Sequence, residues 1–153
     1  MNFSSTSATS WQRSLFSLYN NDEVNHLKEY AYANFNVIQA ERLKQFLLKI
    51  YHCKKDFELL VIDKKPKTRM GCYIVDKQRI RIYSKWICAV PLEKIAIHEY
   101  AHHIHETEKR KTSNRRVERA HGPEFWRIFS ALCCKATLSG LYDDELISDI
   151  LYL

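Results

Sequence analysis

Apolar residues first recur at helical spacing at Val24, Leu27, Ala31 and Phe35, and Asn20 with Glu23 three residues on has the form of a capping box, so a helix is expected over 21–34. Leu43, Phe46, Leu47 and Ile50 share one helical face and predict a second helix over 39–52. The period then changes. Phe57 to Asp63 is short and apolar, the pattern of a buried strand, and Cys72–Asp76 and Arg79–Tyr83 flank Lys77-Gln78 as the arms of a hairpin. In the second arm Ile80 and Ile82 alternate with Arg79, Arg81 and Tyr83, as in a half-buried strand, and this arm is expected at the sheet edge.

Pro91 suits the first turn of a helix, and the run PLEKIAIHEYAHHIHE has no further breaker before about residue 106. Ile95, Ala96 and Ile97 make that helix apolar on nearly every side, which implies burial. Gly122 as N-cap and Pro123 as first helical residue open another helix, running to about Cys134, with Phe125, Ile128, Phe129 and Leu132 on its core side. Gly140 breaks the chain before a last short helix over Tyr142–Leu151. Helices, about three strands, then helices make an α+β fold, with residues 1–18 as a loose tail and 19–153 as a single domain.

Composition narrows the class. Hydrophobic residues at 46% and charged residues at 27% are ordinary for a globular chain, and the apolar runs are too short to span a membrane. Residues 1–20 lack the basic start and apolar core of a secretory signal, although their Ser/Thr-rich, acid-free make-up keeps a weak likeness to a transit peptide. The five cysteines, Cys53, Cys72, Cys88, Cys133 and Cys134, are odd in number and form no CxxC, so neither a disulfide framework nor a zinc ribbon is expected. They read as small buried residues in a reducing, cytoplasmic setting.

Four of the seven histidines fall within eight positions, His98, His102, His103 and His105. Residues four apart lie one turn apart on one face, so His98 and His102 can share an ion. His105 lies about 10 Å beyond His98 along the axis, too far to join them, and His103 points about 100° away from His102. With Glu99 the pair forms His98-Glu99-x-x-His102, the HExxH pattern of zinc peptidases. A catalytic zinc needs a third protein ligand. Glu106, Glu108, Glu118 and Glu124 are possible, whereas His26 and His52 carry no local signal. His121 is the best candidate, because it precedes a helix on a segment that must return along the first. Glu99, one residue from a ligand, would stand beside the ion without binding it, where a general base is needed. Tyr83, Tyr100 and the arginines of 110–119 are conceivable oxyanion stabilisers, none with a geometric warrant.

His98-Glu99-x-x-His102 followed by His121-Gly122-Pro123-Glu124-Phe125-Trp126 resembles the SprT-like zinc metallopeptidases, a family that includes the bacterial SprT and YgjP-like groups and the eukaryotic DNA–protein crosslink protease Spartan. The resemblance covers about residues 57–134. It implies a small zincin-like domain, one Zn²⁺ held by His98, His102 and His121, and peptide-bond hydrolysis with Glu99 as base. Some relatives carry a zinc ribbon, for which this sequence has no CxxC pair; its gap between second and third ligand is instead long and basic.

That gap holds most of the charge. The chain carries +6, and residues 107–120 contribute +4 through Lys109, Arg110, Lys111, Arg115, Arg116 and Arg119 against two acids. Beside a cleft, such a stretch suits contact with DNA phosphates; otherwise it is a solvated loop. The expected partners are therefore a protein or peptide substrate and DNA, with no membrane. The expectation from a different class is a non-catalytic, metal-stabilised module that binds nucleic acid or protein.

Overall fold

The computed structural model describes residues 21–65, 68–85, 90–108 and 119–141. The chain divides into two compact units, Met1–Phe35 and Asn36–Leu153. In the first, helix α1 (Asn21–Ala33) opens with Asp22 and Glu23 in its first turn, where carboxylates favour the helix dipole. It closes with the backbone and side-chain nitrogens of Asn34 both donating to the Tyr30 carbonyl.

Helix α2 (Phe35–Ile50), which belongs to the second unit from Asn36 onward, buries Leu43, Phe46, Leu47 and Ile50, the stripe expected of it. It begins four residues earlier than its apolar stripe suggested, because the first turns carry Val37 and Ile38 on an exposed face. Strands β1 (Glu58–Ile62), β2 (Gly71–Ile74) and β3 (Arg79–Tyr83) form one sheet in the order β1-β3-β2. β1 runs parallel to β3, and β2 antiparallel to it. The hairpin closes through a 3-10 turn, Val75–Lys77, and Gln78 at φ 47°. Arg79–Tyr83 is thus the central strand, not the edge. Its alternation reports one buried and one half-buried face of the sheet, and a half-buried face looks the same in sequence as a strand at the edge.

Register sorts the sheet into two faces. Leu59 and Val61 align with Ile80 and Ile82, and those two with Tyr73 and Gly71, on the inner face. Helix α3 (Leu92–Thr107) packs there, against β2 and β3, and helix α4 (Pro123–Leu138) packs against α3. Pro91 is the N-cap of α3, one position before the first helical residue. Nine residues of α3 are buried, from Ile95 to His105, as its all-round apolarity implied. α4 starts at Gly122 and Pro123 as expected, but runs on to Leu138. Its end is a Schellman motif: Gly140 at φ 65°, with Leu141 N–H to Ala136 O and Gly140 N–H to Thr137 O, both 3.0 Å.

One core joins α2, the inner sheet face, α3 and α4, with Phe57, Ile80, Ile97, Tyr100 and Phe125 at its centre. The architecture is mixed α+β, and among the described residues no helix is long and apolar enough to cross a membrane. The tail over 1–18, the short helix over Tyr142–Leu151, Cys88, Glu118 and the cationic residues 109–116 lie outside the described residues.

Candidate metal centre

His98 and His102 stand one turn apart on α3, with ring centroids 5.1 Å apart. His121 is delivered by the start of α4. Gly122 adopts an extended N-cap conformation and Pro123 fixes the first helical φ, so the preceding residue is aimed back at α3. Its Nε2 lies 3.1 Å from His98 Nε2 and 3.1 Å from His102 Nε2. Among the described residues these three form a group able to hold a metal ion, their ligand atoms all within 4.8 Å of one another.

Three nitrogens bound tetrahedrally to one zinc at about 2.0–2.1 Å stand about 3.3 Å apart. The observed 3.1 Å spacings are close to that requirement. A proton can bridge only two of three converging lone pairs, whereas one cation engages all three, so the donor set fits a divalent ion.

Apolar rings wall the imidazoles. Phe125, fully buried, stacks on His102 at 4.3 Å between centroids and meets His98 at 5.0 Å and His121 at 4.8 Å. Phe129 lies 5.5 Å from His98, and Trp126, itself 48% exposed, lies 6.0 Å from His121. Burial disfavours the charged form. It lowers the His98 pKa, with help from His121, and pushes His102 down to about 4, with help from His98, His121 and His105. Both imidazoles are therefore neutral at pH 7, the state in which a ring nitrogen can bind a metal.

Glu99 leaves the same helix on another side. It is only 7% exposed, and burial lifts its pKa to about 7, against the opposing pull of Arg69 and of a hydrogen bond from the Tyr73 backbone. Its neighbour is β2: a Cβ at Gly71 would stand 3.0 Å from Glu99 Cγ. Glu99 is not a member of the three-histidine group.

The remaining histidines of the cluster have other roles. His103 is buried, with Nδ1 3.0 Å from the Tyr73 hydroxyl and Nε2 2.8 Å from the Lys55 carbonyl oxygen. His105 is also buried. His26 and His52 are exposed and outside the group. Of the carboxylates considered as ligands, Glu108 accepts from the Tyr51 hydroxyl (2.7 Å) and the Lys54 backbone N–H (2.9 Å), and Glu124 accepts from Arg127 Nε (3.0 Å); neither they nor Glu106 join the three histidines. Tyr100 is fully buried and gives its hydroxyl proton to the Tyr51 carbonyl (2.6 Å), so it has none to offer a substrate oxygen. Tyr83 lies on the outer sheet face, opposite to α3, 4.0 Å from Cys72 Sγ. Of the cationic residues assigned to DNA, Arg119 is described; it is exposed, and its carbonyl accepts from the Gly122 N–H at 2.9 Å.

Pattern reading missed Gly71, Tyr73 and Phe125 as determinants of the site. Gly71 carried a signal, since a lone glycine in a strand often marks close backbone approach. Tyr73 carried none, because its importance comes from pairing across the fold. Comparisons with family models, with curated proteins and with solved structures found no match in any of the three.

Proposed function

We propose that this chain is a zinc-dependent metallopeptidase of SprT-like kind, with a zincin-like domain, in which His98, His102 and His121 hold one Zn²⁺ and Glu99 is the general base. The observation that carries this reading is the convergence of three Nε2 atoms from two separated segments, with a buried carboxylate one residue from the first. Zinc is the ion proposed because neutral imidazoles suit it and a three-histidine set leaves a fourth position open, as catalytic sites require.

When bound, the ion supplies Lewis acidity, polarising a carbonyl oxygen and lowering the pKa of water to about 7. The other steps belong to the chain's own residues. Glu99 takes the proton of the attacking water and passes it to the leaving amine. Burial, which lifts its pKa to about 7 in the metal-free protein, works in favour of the protonated form through which Glu99 must pass. Phe125 and Phe129 exclude water from the ligand side of the histidines.

The basic residues Lys109, Arg110, Lys111, Arg115, Arg116 and Arg119 sit in sequence between the ligand segments, and we assign them to DNA phosphate contact, so that substrates are proteins bound to DNA. Cys53, Cys72, Cys133 and Cys134 are all free thiols, which supports a reducing, cytoplasmic setting. The DNA assignment requires an affinity that falls with salt and drops when Arg115 and Arg116 become Ala.

The deciding experiment for catalysis is Glu99→Gln, assayed with zinc against unfolded and DNA-bound proteins. Loss of a general base lowers the rate by about 10²- to 10⁴-fold, with zinc and fold retained. Equal behaviour of the wild type and the variant on every substrate would instead favour a non-catalytic, metal-stabilised binding module.

A further inference from the structure

Glu99 and His103 are four residues apart on α3, hence on one stripe, and β2 faces that stripe. Tyr73 reaches both. Tyr83 N–H donates to Met70 O across the β2–β3 ladder, so positions 70, 72 and 74 turn their backbone groups toward β3. Positions 71 and 73 turn theirs to the free edge. The Tyr73 N–H therefore faces outward, on the side of the Glu99 carboxylate, whose charged form it favours. The Tyr73 hydroxyl, on the inner face, meets His103 Nδ1 at 3.0 Å.

The direction of the second bond follows from the third. The Lys55 carbonyl can only accept, so His103 Nε2, at 2.8 Å, carries a proton. Nδ1 of the neutral ring is then a lone pair, and Tyr73 donates to it. Donation runs in one direction, from Tyr73 through His103 to the backbone of the turn after α2. Phe57 holds the imidazole in place, 5.2 Å away between centroids. Gly71 completes the arrangement from the other side, where any Cβ would press on Glu99 Cγ.

We propose that Tyr73 and His103 are positioning residues for Glu99: the hydroxyl–imidazole bond locks the short edge strand β2 onto α3, and the locked strand presents its Tyr73 amide to the carboxylate. Among the described residues β2 has four residues and a single pairing partner, and strands of that kind shift easily unless tied down. A carboxylate this deeply buried needs a fixed donor, and one displaced by even about 1 Å delivers its proton poorly. The catalytic consequence rests on the assignment of Glu99 as general base; the positioning itself does not.

The test is Tyr73→Phe, which removes one hydroxyl and leaves ring and backbone, with His103→Gln as the second variant because its amide can still accept from Tyr73 and donate to Lys55. Amide hydrogen exchange is followed in the full chain with and without zinc. Loss of one hydrogen bond predicts exchange at position 73 faster by about fivefold to tenfold in Tyr73→Phe, with Ile80 and Ile82 unchanged. His103→Gln is predicted to stay within about twofold of wild type at the same position. In the activity arm, kcat falls while KM and zinc affinity hold. Unchanged exchange at position 73 in Tyr73→Phe overturns the proposal, as does a variant whose loss of activity appears in KM or zinc affinity alone. A wild type that cleaves nothing refutes the peptidase reading, and the exchange comparison then still decides the positioning on its own.

Discussion

Gly71 lies against Glu99 so closely that a Cβ would stand 3.0 Å from Glu99 Cγ, and equally close to Ile95 Cγ2 and the Arg81 carbonyl oxygen. Two of those three neighbours belong to α3 and one to the central strand, so a side chain at position 71 would be pressed from helix and sheet at once. The missing side chain lets β2 approach the helix at the residue assigned to proton transfer.

Gly71→Ala is therefore expected to destabilise the protein by about 1–3 kcal/mol, the usual cost of overpacking. The carbonyl oxygen is backbone and cannot swing aside, so the strain goes into Glu99 or β2. Urea unfolding of the metal-free protein measures it, and an unchanged midpoint would mean that the strand yields freely at this point.

The metal-free protein is expected to lose stability in acid from about pH 6.5 downward. The folded-state pKa values of His98, His102 and His103 are lowered from 6.5, His102 to about 4, chiefly by burial. As pH falls through 6.5 the unfolded chain therefore takes up protons that the folded chain refuses, and the balance shifts toward unfolding. Glu99 acts in the opposite sense. Its folded pKa of about 7 exceeds the ordinary 4.5, so it protonates first in the folded state and stabilises that state as pH falls from 7 to 4.5. Above pH 7 its buried charge costs up to about 3 kcal/mol, from the gap between about 7 and 4.5.

Glu99→Gln removes that cost. Without metal, the variant should exceed wild type in stability at pH 8 by up to about 3 kcal/mol, and the difference should shrink toward pH 4.5. Denaturant titrations across that range measure it. A variant less stable than wild type at pH 8 would show that the carboxylate is better solvated or better paired than its burial implies.

Phe125 is fully buried and lies between α4 and all three candidate ligands. Phe125→Ala should cost about 3–5 kcal/mol as a large-to-small core change. It should also weaken metal binding, because His102 loses the ring stacked on it. Calorimetric titration with zinc against the more conservative Phe125→Leu separates the two effects: the leucine variant should recover more stability than affinity.

Much of the fold was legible because it is written in local periodicity. The burial of α3 followed from Ile95, Ala96 and Ile97, and the start of α4 from Gly122 and Pro123. The spacing of His98 and His102 gave their shared face, and the return of the chain at Gly122-Pro123 singled out His121 as the candidate that the structure brings beside them. Strand order was not legible, since the alternation in Arg79–Tyr83 reports a face and not an edge. The surroundings of Glu99 were hidden for a related reason. Tyr73 meets Glu99 and His103 only after β2 is laid across α3, and no spacing along the chain encodes that contact. Phe125 read as a core residue, which it is; that its core neighbours are the three imidazoles depended on the packing of α4 on α3.

The central claim is that His98, His102 and His121 share one ion, and the most direct measurement is elemental analysis of the purified protein beside His121→Ala and His105→Ala. The account predicts one equivalent of zinc in wild type, retained in His105→Ala and lost or much reduced in His121→Ala. A wild type that takes up no zinc when supplied with it, or a His121→Ala variant that holds a full equivalent as tightly, would contradict it.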